Sequence, residues 1–319
     1  MTKTDTDGTT PRKKRPVVRA LLALLGLAVI ALLTLGVAGY RHPLATMEVL
    51  GRLALRGAGL ERAGVEGPRG PLAYWRGGTG GLVVFLHGAN DQSGAWARVV
   101  GPVKARHRVL VPDLPGHGGS GPKDGPLGVA DLYAGVEALL AAETRGERAT
   151  LVGNSMGGWL AMLYAHRHPD RVSGVVLVNG AALRGDGSEA KVNLLPTTRE
   201  EARATMFAVT SRANPPVPDF ILDDLVRRAP GSPLARILAS PFEEFLLDGK
   251  LGQIQAPVTL LWGKDDKILP VSYAERVASQ LPLARVETIP GCGHIPQREC
   301  APRLLPLLQQ AHDGPGGVR

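Results

Sequence analysis

The sequence predicts a doubly wound α/β fold, in which helices cover both faces of a mostly parallel β-sheet, together with an inserted helical cap. Continuous apolar runs such as "LVVFLHG" (82–88), "RVLVPD" (108–113) and "GVVLVNG" (174–180) are typical of strands that are buried on both faces. Segments of helical periodicity separate these runs, among them "GVADLYAGVEALLAAE", which ends at Glu143. Between residues 183 and 254 the alternation stops and only helix-like segments follow, which indicates the cap.

The remaining elements agree with this order. The runs "LAYWRGG" and "ATLVGN" predict further strands before the cap. Within the cap, Thr198 and Glu201 have capping-box spacing, and "PDFILDDLVRRA" and "SPFEEFLLDG" are expected to form short amphipathic helices. After the cap come a strand "APVTLLWG", a helix near Ser272 to Leu281, a strand "ARVETIPG" and a last helix from about Ala301. The expected segments are a basic disordered N-terminus (1–19), an apolar segment (20–40), a connector (41–70), the core (71–182 and 255–312) and the cap (183–254).

The apolar segment "ALLALLGLAVIALLTLGVAGY" (20–40) predicts a single-pass membrane anchor. A helix of this length measures roughly 31 Å at about 1.5 Å per residue, which is enough to cross a bilayer core. Six basic residues precede it, against Arg41, Arg52 and Arg56 just after it. This bias predicts a cytoplasmic N-terminus and an extracytoplasmic catalytic body. The alternative is cleavage after Ala38 and secretion, because small residues stand at signal-peptidase spacing before that bond.

The net charge of +8 does not indicate a nucleic-acid partner. Six basic and two acidic residues precede the apolar segment, so 6 − 2 = +4 of this charge lies where anionic lipids would account for it. The rest is mostly scattered arginine without a nucleic-acid-binding motif, and we expect no such partner. The oligomeric state stays open.

The two cysteines, Cys292 and Cys300, are too few for a disulfide framework. In an oxidising compartment they could close a small loop, and otherwise they would remain unpaired thiols.

One tight turn presents a serine. Residues 153–157, "GNSMG", match G-x-S-x-G and lie between a predicted strand and a predicted helix. The glycines are needed because strand and helix approach too closely for side chains. The helix dipole then favours negative charge near Ser155, which we predict to be a nucleophile.

A serine nucleophile needs a base that is itself oriented by a carboxylate. Asp266 in "WGKDDKILP" and His294 in "GCGHIPQ" each follow a predicted strand, and the carboxyl ends of parallel strands meet at one sheet edge. We therefore predict Asp266 as the acid and His294 as the base. Asp265 is the alternative acid, and His117 in "PDLPGHGGS" is the alternative base.

The oxyanion of such a reaction needs backbone donors. We expect the N–H groups of Met156 and Ala89 in this role. His87 either shapes the loop by hydrogen bonding or takes part directly. His166 and His168 do not share a helix face, so no metal site is expected.

The stretches "LVVFLHG", "VLVPDLPGHGGS", "LVGNSMGG", "WGKDDKILP" and "GCGHIPQRE" resemble, in content and order, those of the α/β-hydrolase superfamily. The resemblance covers about Leu72 to Gln310. With its N-terminal apolar segment and its cap, the chain is similar to membrane-anchored monoacylglycerol lipases and related bacterial lipases and esterases. The resemblance implies the α/β-hydrolase fold, a triad of Ser155, Asp266 and His294, no cofactor, and a lipid or other carboxylic ester as substrate. Ala89 stands where relatives often carry a bulky residue.

The expected function is therefore hydrolysis of carboxylic esters, in particular lipid esters such as monoacylglycerols, through an acyl-enzyme. The alternatives are a C–C bond hydrolase or an acyltransferase with the same triad, or a catalytically silent binding protein. Apolar cap residues are expected to line an acyl pocket, although they could equally serve to seat the cap on the core. They are Met206, Phe207, Phe220, Ile221, Leu222, Phe245 and Leu246.

Overall fold

One eight-stranded sheet runs through the molecule. The computed structural model describes residues 14–188, 191–212 and 214–313. Its strands are β1 (Glu61–Gly67), β2 (Gly70–Gly77), β3 (Leu82–Leu86), β4 (Arg108–Pro112), β5 (Ala149–Ser155), β6 (Val172–Gly180), β7 (Val258–Gly263) and β8 (Ala284–Ile289). They are ordered β1-β2-β4-β3-β5-β6-β7-β8; β2 pairs antiparallel with both β1 and β4, and all other neighbouring strands are parallel. This order confirms the predicted doubly wound sheet.

Helices cover both faces of the sheet and form the cap. They are α1 (Lys14–Arg41), α2 (Pro43–Gly57), α3 (Ala97–Lys104), α4 (Val129–Glu143), α5 (Met156–Arg167), α6 (Arg199–Val209), α7 (Asp219–Arg228), α8 (Pro233–Leu238), α9 (Val271–Ala278), α10 (Pro296–Glu299) and α11 (Ala301–Asp313). Between 183 and 254, the described residues form α6, α7 and α8 and no strand. The described part of the predicted cap therefore contains helices and no strand, and its bounds stay a prediction.

The sheet divides the core into two layers. Successive side chains of a strand point to opposite faces, so Val84 and Leu86 of β3 join one layer while Val83 and Phe85 join the other. The first layer packs against α4, α5 and α9, and the second against α2, α3 and α11. This two-sided burial explains why the central strands read as continuous apolar runs.

Two expectations differ from the structure. Residues 41–70, expected as a connector, contain α2 and β1. Because β1 is an edge strand with half of its residues exposed, it lacks the apolar run that marks a central strand. The segment "SPFEEFLLDG" forms only a 3₁₀ turn, Glu243–Phe245, since Phe245 and Leu247 are both drawn into the core and the chain extends at Leu246.

A bend separates α1 from α2. Pro43 begins α2 and restricts His42, which leaves the helical region at φ −133° and ψ 59°. No side chain of the local sequence caps α2. Instead Asp224 of the cap helix α7, almost fully buried, accepts a hydrogen bond of 3.0 Å from the backbone N–H of Leu44. Arg227 of α7 also donates to the carbonyl of Arg41 at 2.6 Å. The cap is thus joined to the start of α2.

The first helix is long and apolar. Residues Ala20–Arg41 of α1 have a mean hydropathy of 2.7 within an 18-residue window, and none of that window is buried. Residues 1–13, which make up most of the expected disordered N-terminus, lie outside the described residues.

The cysteine alternative is resolved in favour of a bond. Cys292 and Cys300 are joined in a disulfide, with their Cα atoms 6.0 Å apart. The disulfide closes the loop that carries His294 and Gln297.

Candidate active site

The predicted nucleophile lies at a strained turn between β5 and α5. Ser155 has φ 49° and ψ −120°, a conformation that L-residues rarely adopt. Within the described part of the chain, its hydroxyl makes no hydrogen bond, and the residue is half-buried. The turn therefore presents a free hydroxyl at the N-terminus of α5, where the helix dipole favours negative charge.

The flanking glycines permit this turn. A Cβ on Gly153 would lie 2.3 Å from the carbonyl oxygen of Gly157, and a Cβ on Gly157 would lie 2.2 Å from that of Leu86. Both distances are far below van der Waals contact. The sequence interpretation, that the turn needs glycine because backbones approach closely, holds at these positions.

The predicted acid and base are hydrogen-bonded to each other. His294 Nδ1 lies 2.8 Å from Asp266 Oδ2, and both residues are almost fully buried. The other carboxylate oxygen, Oδ1, accepts the backbone N–H groups of Ile268 at 2.8 Å and Leu269 at 3.0 Å. Asn179, at the end of β6, also donates to Oδ2. The carboxyl group is thus held in place with Oδ2 directed at the imidazole N–H.

The two alternatives lie elsewhere. Asp265 accepts a hydrogen bond from the Ser211 hydroxyl, and it is not bonded to a histidine among the described residues. His117 is buried, and its Nδ1 lies 2.9 Å from the carbonyl of Pro115. Burial, together with the nearby His87, lowers the pKa of His117 to about 3. A histidine with so low a pKa is a poor base near neutral pH.

A side-chain network joins the serine turn to the histidine loop. Asn154 donates to the carbonyl oxygens of Val178 at 2.8 Å and His294 at 2.9 Å. Gln297 in turn donates to Asn154 Oδ1 at 3.0 Å. The main chain of His294 is therefore tied to the residue that precedes Ser155. The sequence analysis missed Asn154, Asn179 and Gln297 as positioning residues, although the first two stand at the ends of the apolar runs that form β5 and β6.

The loop after β3 lies against the serine. A Cβ on Gly88 would be 3.4 Å from Ser155 Cβ, so the backbone that leads into Ala89 lies close to Ser155. His87 is fully buried: its Nε2 accepts the N–H of Leu114 at 2.9 Å, and its Nδ1 lies 2.7 Å from the carbonyl of Gly88. Because Nε2 accepts, Nδ1 carries the proton. Burial lowers the pKa of His87, consistent with a neutral ring. Both nitrogens are thus occupied by the backbone, which favours the loop-shaping interpretation.

A half-buried ion pair fixes the same loop. Arg298 of α10 donates to both carboxylate oxygens of Asp91, with a distance of 2.9 Å from Nε to Oδ2. Burial opposes ionisation here, but the Arg298 guanidinium outweighs it and holds the pKa of Asp91 below its usual value. The sequence analysis did not single out this pair. It connects the candidate oxyanion loop to the helix that follows the His294 loop.

The predicted pocket residues of the cap fall into different environments. Phe245 is buried in the core, Leu246 packs against it, and Leu222 is also fully buried. Phe207 is 53% exposed, with the Lys267 ammonium 4.3 Å from its ring centre, and Phe220 stacks on Tyr40 at 5.0 Å. Met206 and Ile221 are half-buried. Seating contacts thus account for much of this set, and an acyl pocket stays a prediction.

The fold and the arrangement of the site agree with the family comparison. Residues 83–305 match the model of the alpha/beta hydrolase family. The chain belongs to the α/β-hydrolase family.

Individual α/β-hydrolases of several activities are similar to it. The chain is 31% identical over 241 residues to a 2-hydroxy-6-oxononadienedioate/2-hydroxy-6-oxononatrienedioate hydrolase of Cupriavidus pinatubonensis, covering 69% of this chain and 82% of the relative. It is 29% identical over 262 residues to the Homo sapiens monoacylglycerol lipase ABHD6, covering 72% and 76%. The crystal structure of a membrane phospholipase A, described as a novel bacterial virulence factor, matches with a TM-score of 0.71 and 27% identity, covering 92% of this chain and 100% of that one.

The neutral buried histidine gives this α/β-hydrolase a testable acid response. The pKa of His117 is near 6.5 in the unfolded state and about 3 in the folded state. Below pH 6.5 the unfolded state therefore binds more protons, and the free energy of unfolding decreases as the pH is lowered. At pH 5 the loss from His117 amounts to about 2 kcal/mol. We expect His117→Asn, whose amide can still donate to Pro115, to lose less stability than the natural protein between pH 7 and pH 5. Urea unfolding followed by tryptophan fluorescence measures this, and equal losses for both proteins would contradict the assignment.

Proposed function

We propose that the protein is a serine hydrolase that cleaves carboxylic esters, in particular lipid esters such as monoacylglycerols. The observation that carries the proposal is the 2.8 Å hydrogen bond between His294 Nδ1 and Asp266 Oδ2, at the sheet edge that also presents the Ser155 hydroxyl. Because Nδ1 donates to the carboxylate, the lone pair of Nε2 is free to accept a proton.

In the proposed mechanism, Ser155 Oγ attacks the ester carbonyl carbon while its proton passes to His294 Nε2. The tetrahedral intermediate collapses, the imidazolium returns the proton to the leaving alcohol, and an acyl-enzyme remains. Water then repeats both steps and releases the carboxylic acid. Asp266 orients the imidazole and stabilises its positive charge. Only protein groups and water take part.

The N–H groups of Met156 and Ala89 are the proposed oxyanion donors. Met156 begins α5, so its N–H has no partner within the helix. The Gly88 contact with Ser155 supports the placement of Ala89 on the other side of the developing oxyanion. A donor of this kind contributes about 3 kcal/mol to the transition state in comparable sites.

The proposed location is the membrane. The exposed apolar surface of Ala20–Arg41 supports a retained single-pass anchor. The excess of basic residues before this segment supports a cytoplasmic N-terminus and a catalytic body outside. A signal segment cleaved after Ala38 is the alternative. A lipid ester substrate agrees with such an anchor, as does the similarity to a monoacylglycerol lipase and to a membrane phospholipase A.

Replacement of the nucleophile is the direct test. We expect Ser155→Ala to lower kcat for a short nitrophenyl ester by about 10⁴–10⁶ and to abolish labelling by a fluorophosphonate probe. Ser279→Ala, at an exposed serine after α9, is the matched control and should retain both properties. Unchanged hydrolysis by the Ser155 variant would disprove the mechanism.

The assignment of the acid is tested by a neighbouring pair. Asp266→Asn should lower kcat by about 10³–10⁴, because an amide no longer accepts the imidazole N–H and favours the wrong tautomer. Asp265→Asn keeps the backbone bonds of that turn and loses only the charge beside Ser211, so we expect less than about a tenfold change. The reverse order of effects would identify Asp265 as the acid.

Hydrolysis of a C–C bond is the second candidate, and it is favoured by the 31% identity to the Cupriavidus pinatubonensis hydrolase. The same three side chains serve either reaction, so the substrate must decide. We expect kcat/KM for acylglycerols and nitrophenyl esters to exceed that for a 2-hydroxy-6-oxodienoate, and to depend on acyl chain length. Preferential cleavage of the dienoate would favour the second candidate. Equal rates for all chain lengths would remove the acyl pocket.

A further inference from the structure

The outward face of α2 is apolar. Met47, Val49, Leu50 and Leu53 are exposed to between 47% and 59%, whereas Leu55 on the opposite face is fully buried. An ordinary surface helix directs its charged residues to the solvent. In α2 this arrangement is largely inverted, since two of its three charged residues, Glu48 and Arg52, are half-buried while the apolar residues are exposed.

The first helix leaves α2 on this same apolar side. A Cβ on Gly39 of α1 would lie 3.7 Å from Thr46 Oγ1 of α2. In a straight helix two residues seven positions apart are separated by about 10 Å along the axis, so the bend at Pro43 closes towards Thr46. Thr46 precedes Leu50 by four residues and Leu53 by seven, and it therefore shares their helix face. The apolar face of α2 is therefore turned towards α1, and an environment that surrounds α1 also contacts this face.

The charges at the border of this face are basic. Arg52 and Arg56, four positions apart, follow one edge of α2, and Arg56 is exposed. The acidic residue of the same edge, Glu48, pairs with Arg228 of the cap at 2.6 Å. Arginine side chains beside an apolar face can reach the headgroups of anionic lipids while their stems stay in the apolar layer.

We propose that the outward face of α2, defined by Met47, Val49, Leu50 and Leu53, lies in the headgroup region of an anionic lipid bilayer as a second membrane contact beside α1. This proposal rests on the membrane anchor proposed above. The hydrogen bond from Leu44 to Asp224 joins α2 to the cap helix α7, so the same contact holds the cap next to the lipid surface. A lipid ester then reaches the cap directly from the membrane.

The test uses the full chain in vesicles of phosphatidylcholine and phosphatidylglycerol. Single Leu50→Cys, Leu32→Cys and Leu283→Cys variants carry an environment-sensitive NBD label; the two natural cysteines are joined in a disulfide and do not react. All three positions are exposed leucines, with Leu32 in α1 and Leu283 just before β8 on the body. One set of vesicles contains lipids with a doxyl quencher near the headgroup end of the acyl chain, and a second set carries the quencher near the methyl end, at the depth expected for Leu32 of a spanning α1. We expect at least about twofold quenching for Leu50→Cys and none for Leu283→Cys, because an interfacial helix inserts about 5–10 Å into this layer.

The control positions separate the possible failures. Quenching of the Leu32 label together with an unquenched Leu50 label would overturn the proposal while leaving the anchor intact. Disulfide cross-linking of two Leu50→Cys chains without lipid quenching would also overturn it, because the face would then bind a second copy of the chain. A Leu32 label that is quenched in neither set of vesicles would refute the anchor itself, and with it the basis of the proposal.

Discussion

Ser155 can adopt its strained conformation because three pieces of backbone meet around it without intervening side chains. The end of β5, the first turn of α5 and the end of β3 approach so closely that a Cβ on Gly153 or Gly157 would overlap a carbonyl group. The same approach brings the loop after His87 against the serine. Strain at Ser155 and placement of the candidate oxyanion donors are therefore one constraint, maintained by close packing in the centre of a buried parallel sheet.

Asp266, together with the His294 imidazole that it binds, is held by a second set of contacts. A buried carboxylate is costly unless its oxygens are satisfied, and those of Asp266 receive two backbone N–H groups, the Asn179 amide and the His294 imidazole. The His294 loop is in turn restrained by Asn154 and by the disulfide from Cys292 to Cys300. Since these restraints come from different strands, the orientation of the imidazole depends on the whole carboxyl edge of the sheet.

The sequence predicts the central strands, the cap and the pairing of Asp266 with His294 because each of these leaves a local signal. Buried parallel strands form apolar runs, and chemistry at their ends follows within a few residues. Asn179, Gln297 and the pair of Asp91 with Arg298 leave no such signal, because their roles depend on partners far away in the sequence. Edge strand β1 and helix α2 were missed for a related reason. Most of the apolar residues of α2 are exposed, and β1 has no buried residue. Hydrophobic periodicity alone therefore does not distinguish these two elements from a connector.

The inverted helix α2 links this site to the expected membrane. An ordinary surface helix does not expose Met47, Leu50 and Leu53 together while Glu48 and Arg52 are half-buried. Asp224 supplies the first unpaired N–H of α2 with a buried carboxylate, and Arg228 of the same cap helix pairs with Glu48. The cap is therefore bound to α2, the helix that directly follows α1, as well as to the core beneath it. In the proposed arrangement, a cap held in this way keeps its position relative to the lipid surface, so the same few contacts would determine both the entry of an ester and the orientation of the body.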